Sequence, residues 1–195
     1  VLGGLMQSGG DEHGFGAGPG GAPPGRRPLA TRAPELALRA DGTAVLRLHA
    51  RGAGPGAEAP AWAGSLHDGV AEIAAHHPRA WVVDLRDADG DSPWPALAAL
   101  STLLDGPLVG AFVSRQERRE WIVDRGVARF AGGPALVDLQ APPEPSFRGP
   151  VAVLIGPGTR NAGEDVAVAF HGRARTRFFG AATAGFPNSG VVVHR

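Results

Sequence analysis

Three places in this 195-residue chain put chemically capable side chains close together. His13 follows Asp11 and Glu12 in a glycine-rich stretch. An imidazole titrates near neutrality and a neighbouring carboxylate tunes it, so this segment suits proton transfer. It is equally what a solvated loop histidine looks like. Residues 86–94, RDADGDSPW, carry Asp87, Asp89 and Asp91 at alternate positions, with Gly90, Ser92 and Trp94 among and after them. Carboxylates around a glycine are a fragment of a calcium loop, but such a loop closes on a bidentate glutamate, and Ala98 stands at that place. A solvated loop is the stronger reading. Residues 156–161, GPGTRN, end on Asn161. Its amide can donate to a carbonyl or an oxyanion. It reads first as the N-cap of the helix that Ala162 begins, with Glu164 three residues on as in a capping box.

Much chemistry is excluded by what the chain lacks. Its basic residues are all arginine, and it has no lysine, cysteine or tyrosine. A Schiff-base lysine, a Ser-Lys dyad, a cysteine nucleophile, a disulfide and a Cys-ligated metal are therefore ruled out. No cofactor is called for. The 19 basic and 19 acidic residues cancel, so no broad nucleic-acid or anionic-membrane surface is expected. No apolar run reaches the ~20 residues of a membrane helix, and no signal peptide opens the chain. The first residue is Val1, so the expectation is that the true N-terminus lies upstream; the cytoplasm is slightly favoured as compartment.

The surrounding pattern must position these groups. Residues 1–10 are weakly apolar and suit a helix end, and 14–28 form a Gly/Pro-rich loop. Residues 36–40 and 43–49 read as short strands around Asp41-Gly42. A linker is expected over 51–60. From Ala61, Trp62, Leu66, Val70, Ile73 and His77 recur at helical spacing, and Pro78 ends the run. Residues 80–85, AWVVDL, are a continuous apolar run of the kind found in buried parallel strands. A polar loop over 87–93 leads to a helix from Pro95 through Leu104. A strand over 108–113, a hairpin of 120–123 with 127–130, and a Pro-rich boundary over 141–150 follow. Residues 151–155 read as a second buried strand, 156–160 as a tight loop, and 162–171 as a helix closed by Gly172. Strands are expected over 175–179 and 190–194.

This alternation predicts an α/β fold with a mainly parallel sheet. Ligands of such sheets sit outside the carboxyl ends of the strands, which points to 86–94 and 156–161. The division expected is a loop-rich segment with short strands over 1–60 and the α/β core over 61–195. Trp94, between Pro93 and Pro95, either lines a cleft or packs under the loop. His76 and His77 sit where a helix dipole favours cations, but adjacent residues do not share a helix face, so they do not form a paired metal site. Arg173, Arg175 and Arg177 alternate, which predicts three cations on one strand face, facing an anion or, more often, solvent.

The stretch VAVLIGPGTRNAGEDVAVAFHGRARTRFFGAATAG resembles the core of the tail-specific (C-terminal processing) serine peptidases and their tricorn-like relatives. There, a buried strand enters a Gly-Thr-x-Ser-Ala-Gly-Glu turn, then a helix, then a strand ending in glycine. WVVDLRDADGDSPWPALAALSTLL resembles the family's earlier strand-loop-helix, whose loop reads Arg-Gly-Asn-x-Gly-Gly, and GGDEHGF resembles its Asp-x-His-Ser segment. The resemblance implies a ClpP/crotonase-like spiral core. It also implies a serine exposed at the strand-to-helix turn, with oxyanion donors from the following amide and the Gly-rich loop.

Carried over residue by residue, Gly158 and Thr159 open the turn, Asn161 stands for the serine and Ala162 supplies the following amide. In the oxyanion loop Ala88 stands for the Asn, Gly90 for the first Gly and Asp91 for the second. His13 matches the tricorn-type base, and the lysine of other members falls near Phe186. The nucleophile, one oxyanion element and the lysine are thus altered together, which argues for inherited loss. The leading expectation is a non-proteolytic member that binds a peptide or small-molecule ligand in the former active-site cleft. A repurposed enzyme using His13 with Asp91 or Glu12 follows closely, and a peptidase with its nucleophile relocated to Ser92 comes third. A homo-oligomer is left open.

Overall fold

The computed structural model describes residues 32–49, 58–142, 145–185 and 191–192. The readings placed on residues 1–31, His13 among them, and on Phe186 lie outside the described residues. So do most of the expected linker, at 51–57, and residues 190 and 193–194 of the last expected strand.

The central sheet has the order β1-β2-β3-β8-β9, formed by β1 (Glu35–Leu38), β2 (Thr43–His49), β3 (Ala80–Asp87), β8 (Val151–Ile155) and β9 (Thr176–Gly180). β2, β3, β8 and β9 pair in parallel, and β1 closes the edge antiparallel to β2. β2 and β3 carry most of the buried residues of this sheet. Trp81, Val83 and Leu85 on one face are fully buried, as the apolar run predicted. The fold is α/β with a largely parallel sheet.

Two helices make the short crossovers. α1 (Glu58–Ala75) joins β2 to β3, and α3 (Ala162–His171) joins β8 to β9. α1 starts three residues before the expected Ala61, taking in the end of the expected linker. Pro60 then falls in its first turn, where a backbone amide has no helical partner to lose. It stops at Ala75, and His77 takes the left-handed conformation (φ 52°) just before Pro78.

Between β3 and β8 the chain leaves the parallel sheet. The helix expected through Leu104 stops early: α2 is Trp94–Ala99, followed by a 3-10 turn over Ser101–Leu103. The tighter turn leaves the Ser101 hydroxyl to accept a hydrogen bond from the Gly126 amide at 3.0 Å. β4 (Leu108–Val113), β5 (Arg118–Asp124), β6 (Val127–Phe130) and β7 (Ala135–Asp138) then build a second, antiparallel sheet, which β10 (Val191–Val192) joins beside β4. The hairpin between β5 and β6 turns on Arg125 (φ 46°) and Gly126 (φ 75°), the two positive φ angles of a type I′ turn. α2 packs on α1, α3, β6 and β7, and so bridges the two sheets.

The two ends of this insertion are held together. The Phe147 amide donates to the Thr102 carbonyl (2.8 Å), and Arg148 pairs with Asp105 (2.9 Å). Arg173, buried at the end of α3, donates to the carbonyls of Leu103 (2.6 Å), Phe147 (2.6 Å) and Gly149 (3.0 Å). This corrects the expected stripe of three cations. Arg173 is spent on buried carbonyls, Arg175 lies in a left-handed turn (φ 57°), and only Arg177 is on β9. Among the described residues no helix is long and apolar enough to cross a membrane.

Candidate functional site

β3 and β8 run in parallel, side by side, so the segments that follow them meet at one edge of the sheet. The turn after β8 is anchored by Thr159. It is fully buried, its hydroxyl donates to the Leu85 carbonyl (2.7 Å) and accepts from the Gly156 amide (3.0 Å). Gly158 and Gly163 are glycine for lack of room. A Cβ at Gly158 would lie 2.4 Å from the Arg86 carbonyl oxygen, and one at Gly163 would lie 2.3 Å from that of Ala88. The Arg160 amide bonds the Ala88 carbonyl at 2.9 Å. The two segments are therefore pressed together backbone to backbone.

Asn161 stands at the apex with φ 44° and ψ −121°. A residue with a Cβ held there costs about 1–3 kcal/mol. The conformation is that of a sharp strand-to-helix elbow, which lifts a side chain off the sheet edge. A side-chain cap needs extended backbone at the N-cap, and Asn161 makes no cap hydrogen bond, which corrects the first reading of it. Its Nδ2 donates instead to Asp89 Oδ1 at 2.7 Å. Nor does Glu164 complete a capping box. Its Oε1 accepts from the Thr183 hydroxyl (2.6 Å) and the Gly185 amide (2.8 Å), tying α3 to the segment beyond β9.

Asp89 Oδ1 also accepts from the Gly90 amide (2.8 Å), and the Gly90 carbonyl accepts from the Ala162 amide (3.1 Å). The peptide after Gly90 thus presents an acceptor to the elbow. An oxyanion site needs donors there. Of the other aspartates in the loop, Asp87 pairs with Arg47 at 2.6 Å, and Asp91 is exposed. Among the described residues no three carboxylates or imidazoles are grouped as metal ligands.

A cavity of about 410 Å³ opens beside the elbow. Of the loop and elbow residues singled out in the sequence, Ala88, Asp89, Gly90, Asp91, Ser92, Trp94 and Ala162 line it. Thr159 is turned into the framework, Gly158 packs on Arg86, and Asn161 connects to the cavity through Asp89. Trp94 lines the cavity and makes T-shaped ring contacts with Phe130 (4.7 Å between centroids) and Trp121 (6.2 Å). The cavity also recruits His49, Trp62, and Leu136 and Val137 of β7. His49 ends the parallel strand β2, so the rule that pointed to the ends of β3 and β8 points to it as well. Its Nε2 lies 3.1 Å from Glu35 Oε1. Trp62 was visible as a helix residue, whereas β7 carries no periodic signal.

Two buried carboxyls flank the site in opposite states. Burial alone would raise the carboxyl of Asp84 in β3, but bidentate bonds from Arg86 (2.9 and 2.7 Å) outweigh this and hold it below the usual range. Asp165 in α3 is fully buried, and neither of its carboxylate oxygens has a hydrogen-bond partner among the described residues. Burial first, and then the charge of neighbouring Glu164, push its pKa up to about 7.

Comparison with known proteins places this arrangement. Among solved structures the fold is similar to a lipoprotein from Streptococcus agalactiae (TM-score 0.62, 17% identity), over 80% of this chain and 51% of that one. It is also similar to a putative peptidase from Parabacteroides merdae (TM-score 0.52, 15% identity; 84% of this chain, 47% of that one). A putative S41 protease from Bacteroides fragilis is similar too (TM-score 0.52, 20% identity; 80% of this chain, 39% of that one). At these identities the likeness is one of fold, and the chain spans about half or less of each protein's length. No curated protein matches the chain in sequence. The sequence pattern of peptidase family S41 matches residues 42–191, which takes in β3, β8, the elbow and α3. The chain belongs to peptidase family S41.

Proposed function

We propose that this chain binds a peptide or small ligand in the cavity beside the elbow and does not cleave it. The observation that carries the reading is the bonding around Asp89. A peptidase elbow needs a nucleophile at its apex and free amides beside it. The apex is Asn161, its amide nitrogen donates to Asp89, the Gly90 amide donates to the same carboxylate oxygen, and the Ala162 amide donates to the Gly90 carbonyl. A carboxylate where negative charge must develop raises the barrier to acyl transfer. The cavity is nonetheless formed, with apolar walls and a few polar groups at one side, as ligand sites are.

The test is mass spectrometry of a mixture of unstructured peptides incubated with the native chain and with Asn161→Ser. Neither is expected to cleave, because the serine variant still lacks free oxyanion donors. Cleavage by the native chain overturns the reading. Cleavage by the serine variant alone means that the amides rearrange easily and that the apex residue is the main block.

One observation favours a second reading, an active peptidase with its nucleophile relocated to Ser92: Ser92 and His49 line the same cavity. Labelling of the native chain by a fluorophosphonate, lost in Ser92→Ala, establishes it. Absence of labelling removes it.

A further inference from the structure

β9 is the last strand of the parallel sheet, and among the described residues nothing pairs with its outer side. The hydrogen bonds at its two ends fix which backbone groups face that way. The Val151 amide donates to the Arg175 carbonyl, and the Ala181 amide donates to the Ile155 carbonyl. In a parallel ladder such bonds engage alternate residues. Arg177 and Phe179 therefore turn their amides and carbonyls toward β8, and Thr176, Phe178 and Gly180 turn theirs outward. Side chains alternate as well. Arg177 and Phe179 share one face of the sheet, and both are exposed. At 52%, Phe179 is the most exposed large apolar side chain among the described residues. Phe178 lies on the other face, half-buried, where its ring meets His171 (5.8 Å between centroids).

An open strand edge is a template for another strand, and this edge is complementary to itself. A two-fold pairing centred on Arg177 or Phe179 would have no outward groups to join there, which leaves Phe178 as the centre. Set antiparallel with Phe178 opposite Phe178, the two copies meet there as a hydrogen-bonded pair, and Thr176 of each meets Gly180 of the other. The same register sets Arg177 of each copy opposite Phe179 of the other, in a close non-hydrogen-bonded pair. A guanidinium then covers an exposed ring instead of facing its own like. The chain already makes such a contact between antiparallel strands: the Arg119 guanidinium of β5 lies 3.6 Å from the centre of the Phe130 ring of β6. We propose that β9 docks a second copy of this chain, joining antiparallel β9 strands into one sheet with five strands from each copy. This is independent of what the cavity binds.

Sedimentation velocity of the full chain across the micromolar range is expected to show a reversible dimer. Phe179→Arg sets arginine opposite arginine and should weaken that dimer by about tenfold or more. The double variant Arg177→Glu with Phe179→Arg sets glutamate opposite arginine and should recover the native dissociation constant to within about threefold. Cross-linking reads the register separately, in a chain that has no cysteine of its own. Arg177→Cys and Phe179→Cys, mixed and oxidised, should give a disulfide-linked dimer that neither variant gives alone. The Cα atoms of a non-hydrogen-bonded pair lie about 4.5 Å apart, within reach of a disulfide. The proposal is overturned by a dimer indifferent to Phe179→Arg, by a loss that the double variant does not recover, or by a mixture that links no better than its components. A native chain that stays monomeric throughout also overturns it, and leaves the edge to an extended segment of another protein.

Discussion

Residues 156–159 and residues 88–91 each follow a buried parallel strand and meet at the elbow, but their polar groups are committed differently. In the first turn, Thr159 points inward and bonds the backbone of β3 and of its own turn, and no charged side chain takes part. In the second, Asp89 and Asp91 border the cavity, and the carboxylate of Asp89 takes bonds from across the elbow. The first turn fixes where the elbow stands, and the second determines what the elbow meets. Substitutions in the turn should therefore change stability, and substitutions in the loop should change ligand preference.

The largest expected effect breaks this division, because it arises inside the framework. Asp165 is unpaired, and its pKa is raised from 3.8 to about 7. Between those values the folded protein binds a proton that the unfolded chain releases, so stability falls as pH rises from about 4 to about 7. Asp165→Asn should abolish that fall and raise stability at pH 8 by up to about 4 kcal/mol, read by urea denaturation at pH 4.5 and pH 8. A native chain whose stability is flat over this range would mean that the carboxyl has a partner. Next in size, Thr159→Val leaves the Gly156 amide and the Leu85 carbonyl without the hydroxyl, and should cost about 2 kcal/mol. A loss below about 0.5 kcal/mol would mean that the turn does not depend on that bridge. The smallest effect sharpens the comparison from the other side. Asp91→Asn, at an exposed position, should leave the denaturation midpoint within about 0.5 kcal/mol of native. A larger change would make the loop part of the framework.

The elements around the site were legible where burial imposed a pattern. The apolar runs of β3 and β8 and the apolar face of α3 stood at their expected places. Errors came where a long-range partner decided. The helix-like run ends at a 3-10 turn whose Ser101 hydroxyl accepts from the Gly126 amide, 25 positions away. β4 reads like another strand of the parallel sheet and instead pairs antiparallel with β5. β7 is mostly exposed and lacks alternation. At the site, Asn161 and the altered loop were marked by resemblance, but the bond from Asn161 to Asp89 spans 72 positions and has no local signature. His49 was within reach of the strand-end rule, since it ends the parallel strand β2.

The stapled ends of the insertion have a consequence for how this molecule can be rebuilt. The chain leaves the core near Leu103 and returns near Gly149, and one guanidinium, that of Arg173, holds both points. With the Arg148–Asp105 pair and the amide of Phe147 alongside, departure and return are fixed next to each other whatever lies between. The strands β4 to β7 are thus mounted like a cassette on the core, with β10 joining their sheet from beyond β9. Turn lengths between residues 106 and 146 can vary at modest entropic cost, since closing a loop depends only weakly on its length, provided that the buried Val109, Trp121, Val123 and Ala128 are kept. What an exchange would alter is the cavity wall that Leu136 and Val137 supply, so the same core can be fitted to new ligands by replacing one side of the pocket.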